Sequence, residues 1–98
     1  MQELQGTVYI NDQEESGTYN FIGIPNYMTC GFKNIFKEDA EAIAFTALAL
    51  LLEKYPHNAD YFQTFKYVYP DGKTIDFWCI NDIDHITFLL PEEYWHRR

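Results

Sequence analysis

Tyr69-Pro70-Asp71-Gly72-Lys73 constrains this chain more than any other stretch. It lies between two runs rich in aromatic and β-branched residues, so it reads as a hairpin turn. Pro70 pre-sets φ for the first turn position, and Gly72 supplies the left-handed residue of a bulge. That turn pairs Tyr69 with Lys73, Val68 with Thr74, Lys66 with Asp76 and Thr64 with Trp78. The Lys66–Asp76 pair sets opposite charges across the ladder, worth a few tenths of a kcal/mol to about 1. A two-residue loop would slip the register and set Lys66 against Phe77, which burial forbids.

Side chains alternate across a strand. The register therefore gathers Tyr61, Phe65, Tyr67, Tyr69, Ile75, Phe77 and Cys79 on a core face. Phe62, Thr64, Lys66, Val68, Thr74, Asp76, Trp78 and Ile80 fall on the outer one. Asn81-Asp82-Ile83-Asp84 is a second turn, of residues that bond their own backbone. As a four-residue loop it pairs Ile80 with His85. Ile86, Phe88 and Leu90 then join the core face, and His85, Thr87 and Leu89 the outer face.

Around this meander, residues 61–90, the rest is read by period. Residues 6–10 and 18–24 each suit a short strand, and the acidic NDQEESG between them suits a flexible loop, so an N-terminal hairpin is expected. Residues 27–32 read as a further strand or an extended lead-in to a helix. That helix is predicted over about 36–54, rich in Ala, Leu, Glu and Lys and stopped by Pro56. Asn34 and Asp39 are both chemically suited to cap it. Ala40, Ile43, Ala44, Ala47, Leu48 and Leu51 make one apolar face, but Phe45, Ala49 and Leu52 occupy the opposite side. Such a helix needs cover on more than one side, from the N-terminal hairpin or from another subunit. Pro91 with Glu92 and Glu93 behind it opens a short C-terminal helical turn. Tyr94 and Trp95 are expected to fold back on the domain, with Arg97 and Arg98 at its end. The expected architecture is one α+β domain over residues 1–98: an antiparallel sheet on one long helix.

At 98 residues the chain supports one core. Its net charge of −8 disfavours direct binding to nucleic acid or to anionic membranes. The same charge suits a basic protein partner. Cys30 and Cys79 show no CxxC spacing and no disulfide framework, and the N-terminus has no signal-peptide pattern, so a cytoplasmic location is expected. The apolar run from Ile43 to Leu52 is too short to span a bilayer.

Three constellations invite a functional reading. Cys79 and His85 could form a nucleophile–base pair, but the register points them to opposite faces. Asp82, Asp84 and His85 are plausible metal ligands, yet the turn itself accounts for the two aspartates, and no cofactor or metal is expected. Phe62, Trp78, Ile80 and Leu89, with His85 beside them, would form an apolar outer face. Such a face is either an interaction surface or a second core layer under the N-terminal residues or the C-terminal turn.

Three segments resemble an uncharacterised bacterial family, domain of unknown function 960. They are Tyr27-Met28-Thr29-Cys30-Gly31, Asp60-Tyr61-Phe62-Gln63-Thr64-Phe65, and the run from Asp82 through His85 to Leu89-Leu90-Pro91-Glu92-Glu93-Tyr94. The resemblance extends from Tyr27 to Tyr94. It implies a small α+β fold and transfers no catalytic residue.

The sequence favours a non-enzymatic module that binds another protein, or a second copy of itself, through aromatic surface. The alternative is an acidic inhibitor that mimics nucleic acid toward a basic protein. A small enzyme using His85 with Asp84 ranks last.

Overall fold

The computed structural model describes residues 3–94. Its elements are β1 (Thr7–Ile10), β2 (Asn26–Met28), α1 (Cys30–Phe36), α2 (Ala40–Lys54), β3 (Phe62–Val68), β4 (Thr74–Asn81), β5 (Ile86–Leu89) and α3 (Pro91–Tyr94). The strands form one sheet in the order β1-β3-β4-β5-β2. Its neighbours are antiparallel except β2, which runs parallel to β5. The class is α+β, with α1 and α2 on one face.

The first hairpin has the expected register, with Val68 opposite Thr74, Lys66 opposite Asp76 and Thr64 opposite Trp78. Tyr69 N–H donates to Lys73 O and Gly72 N–H to Tyr69 O. Gly72 has φ of 93°, a conformation a side chain resists. The second hairpin differs. Asn81 is still strand and pairs with Ile86, so Ile80 meets Thr87 rather than His85. The slip moves each partner by two positions, so every side chain keeps its expected face. Asn81 holds this arrangement: its Nδ2 donates to Asn20 O and its Oδ1 accepts from Ile83 N–H.

No N-terminal hairpin forms. β1 pairs with β3, Thr7 opposite Val68 through Ile10 opposite Phe65, and residues 18–24 contain no strand. β1 completes the open side of β3, whereas β2 takes the far edge beside β5. Residues 11–25 must therefore cross the whole end of the sheet. They do so as a strap rather than a flexible loop. Asn11 N–H bonds Thr64 O, Gly17 N–H bonds Asn58 O, Tyr19 N–H bonds Ala59 O, and Pro25 O accepts from Ile86 N–H. Gln13 is its main fastening. Its N–H reaches the Tyr55 hydroxyl, its Nε2 reaches Asn58 O, and its Oε1 accepts from both Asp60 N–H and Gln63 Nε2. Lys54 pairs with Asp12 beside it and holds that exposed carboxyl below the usual carboxylate range.

The helix expected over about 36–54 is present as α2 behind a short turn, and a separate helix, α1, precedes it where a strand or an extended lead-in is expected. Thr29 caps α1, its hydroxyl accepting from Phe32 N–H. Asn34 therefore lies inside α1. Lys37 ends it with φ of 53°, and a 3₁₀ turn over Lys37–Asp39 leads into α2. Asp39 occupies the capping position of α2 but makes no side-chain capping bond. The turn between the helices lets Phe32 and Phe36 of α1 enter the core. Phe32 packs on Phe36, Phe77 and Phe88, and Phe36 on Tyr67 and Phe77, with ring centroids 4.9–5.8 Å apart. Phe65 stacks on Phe77. Such ring pairs add about 0.5–1.5 kcal/mol each beyond area burial.

Two positions differ from the expected core. Tyr61 lies just before β3, 44% exposed, with its ring against Tyr19. Gln63 alternates onto the core face and is fully buried. Its Nε2 donates to Gln13 Oε1 and Asp60 O, while its Oε1 has no partner among the described residues. The strap does not wrap the back of α2 either. It shelters the half-buried Leu52, close to Ile22 and Tyr55, and leaves Phe45 and Ala49 exposed.

α3 begins at Pro91 as expected, and the Tyr94 ring lies 5.6 Å from Trp78. Glu93 fastens it. One carboxylate oxygen accepts from the Thr29 hydroxyl and Leu90 N–H, and the other from Gly31 N–H at the start of α1. A Cβ at position 31 would meet that carboxylate and push the Glu93 side chain aside. Trp95, Arg97 and Arg98 lie outside the described residues. Among the described residues no helix is long and apolar enough to cross a membrane.

Candidate protein-interaction surface

The expected apolar outer face is largely a second core layer. Phe62 and Trp78 are half-buried and packed edge to face at 4.8 Å. Ile80 is only 5% exposed and Leu89 is fully buried. These two cannot anchor a partner. Ile80 is flanked across the ladder by Phe62 and Thr87, and Leu89 by Trp78. The Glu93 bonds hold α3 over the same face. Of the five candidate residues, only Phe62, Trp78 and His85 keep appreciable surface.

His85 sits between two carboxylates. Its Nδ1 is 2.6 Å from Asp84 and its Nε2 3.3 Å from Asp82. The Tyr27 ring packs against it, edge on. The loop is tight: Asp84 N–H bonds Asp82 O, a γ-turn centred on Ile83. Ile83 has φ of 77° and is 77% exposed. For a β-branched residue that conformation is strained. Among the described residues no group of three His, Cys, Asp or Glu side chains is placed to hold a metal. Cys79 points into the core, where burial pushes its thiol far up, away from His85. Cys30 is exposed at the start of α1.

A different surface stands out. α1 packs on β5, and α2 on β1 and β3. Two helices thus leave the helix-side face of β2 open. The gap is a groove of about 500 Å³ lined by Asn26, Met28, Glu41, Ala42, Ala44, Phe45 and Phe88. Its lining is mainly apolar, and Phe45 stands at its lip 60% exposed. Asn26 and Met28 face the groove, whereas Tyr27 alternates to the other side, beside His85. Beyond β2 no further strand lies among the described residues. Periodicity gave one clue to this site: Phe45 sits on the side of the helix that one sheet cannot cover. A smaller concavity, about 130 Å³, collects Asp12, Glu14, Glu15 and Asp60 at the strap.

Comparison with models of known protein families, with curated proteins and with solved structures finds no match.

Proposed function

We propose that this protein is a non-enzymatic protein-binding module whose docking site is the groove between β2 and α2. The observation that carries this reading is the coincidence of an apolar groove with an open strand edge. A free edge presents unpaired N–H and C=O groups, a template for an added strand. A neighbouring apolar pocket selects a side chain. Phe45 fits the role of anchor, since large aromatic residues dominate interface energetics. The two free cysteines suit a reducing cytoplasm.

A site-specific photo-crosslinker tests the reading. Placed at Phe45 in the native host, it should trap a discrete partner. Placed at Tyr9, on the opposite sheet edge, it should not. Equal trapping at both positions, or none at Phe45, overturns the reading.

The second reading is an acidic inhibitor of a basic protein. Asp12, Glu14, Glu15 and Asp60 around one concavity favour it. It requires binding that collapses with salt and survives Phe45→Asp, because Coulomb contacts between exposed groups are screened and apolar ones are not.

A further inference from the structure

We infer that the groove receives an extended, basic segment of a partner protein, added to the sheet as a strand beside β2. The inference rests on the protein-binding reading and names the occupant of the same site.

The hydrogen-bond directions of β2 come first. Along a strand, successive residues turn their N–H and C=O groups to opposite sides. Pro25 O and Thr29 N–H both bond β5, so Tyr27, two residues from each, turns the same way. Asn26 and Met28 then direct their N–H and C=O groups outward, to the open edge. Their side chains also border the groove. A segment paired with this edge makes its main-chain bonds to Asn26 and Met28. Its alternate side chains enter the space beside Met28, Phe45 and Phe88.

Charge selects the occupant. Glu41 is the only charged residue lining the groove among the described residues. Across the sheet, Asp82 and Asp84 lie beside His85, whose ring meets Tyr27. The whole chain carries −8. A segment with one apolar side chain flanked by Lys or Arg meets complementary charge on both sides. A second copy of this chain does not, because two bodies of −8 repel. The short edge, Asn26–Met28, also limits the contribution of ladder bonds, so electrostatic attraction carries much of the recognition.

The test uses the full chain as bait against a displayed random peptide library. Enriched peptides should combine one large apolar residue with neighbouring Lys or Arg. Affinity should fall about tenfold between low and high salt, the screening expected of exposed charges. Phe45→Asp should lose binding at least about tenfold, corresponding to about 1.4 kcal/mol, with its circular dichroism unchanged. Amide exchange on peptide binding should slow at Asn26 and Met28 and not at Tyr9. Enriched peptides that are acidic or neutral, or bind without protecting Asn26 and Met28, overturn the extended basic occupant. If such peptides are still lost with Phe45→Asp, the protein-binding reading stands. Concentration-dependent dimerisation abolished by Phe45→Asp replaces the occupant with a second copy. Absence of enriched peptides, together with no cross-link at Phe45, removes both.

Discussion

Ile83 and Gly72 both have positive φ, and their chemistry makes opposite predictions. Gly72 has no side chain and suits its bulge. Gly72→Val should destabilise the fold by roughly 1–2 kcal/mol, because a β-branched residue resists that conformation. Ile83 is the mismatch: a β-branched residue held in a γ-turn, with most of its surface in water. Strain of this kind costs about 1–3 kcal/mol. Ile83→Gly removes it and gives up little contact, while adding some unfolded-state entropy. The net expectation is a gain of about 1 kcal/mol. Denaturant unfolding of the two variants checks both signs. A fall in midpoint for Ile83→Gly would show that the γ-turn carries no strain.

The strap and α3 have no stability of their own, being too short or too irregular. Each is fastened by one side chain that reaches several main-chain groups. The Gln13 side chain joins the strap to Asn58, Asp60 and Gln63, while its N–H reaches Tyr55. Gln13→Ala leaves Asp60 N–H without its acceptor and Gln63 Nε2 with only Asp60 O, and should cost about 2 kcal/mol. Hydrogen exchange should then rise first at Gly17 and Tyr19, whose amides bond the residues before β3. Glu93 joins α3 to the start of α1. Its bonds are charge-assisted, so Glu93→Ala should also cost about 2 kcal/mol. The same change should expose Trp78, read as a red shift and quenching of its fluorescence. No change in that signal would mean that α3 stays docked without the carboxylate. The start of α1 and the C-terminal turn meet here, since Glu93 touches Thr29 and Gly31.

For the whole molecule the question is what covers α2 and the β2 edge. A two-fold dimer is the commonest way to bury such a patch, and it needs at least about 1,000 Å². Much of the apolar surface expected for that purpose is already spent, with Ile80 and Leu89 inside. What remains, besides the half-buried Phe62 and Trp78, is the strip from Met28 to Phe45, on a body of −8. Sedimentation at micromolar concentration should therefore show a monomer at low and at high salt. A dimer that tightens with salt would point to self-association through Phe45 instead.

The local sequence determined what short-range chemistry controls. Tyr69–Lys73 fixed the first register because turn residues and strand alternation act within a few positions. Alternation also placed Ile86 and Phe88 in the core, even though the second turn is built differently. Gln63 fell on the core face by the same rule, but its polarity concealed that role until Gln13 was beside it. Tertiary structure alone decided which strand β1 joins, because β1 gains as much locally from residues 18–24 as from β3. The free side of β3 settled that choice and sent the strap across the sheet. The separate helix α1 arose likewise, since only the core requires Phe32 and Phe36 to turn inward. The groove has the same origin: it is space left where two helices meet a wider sheet, and no single segment encodes it.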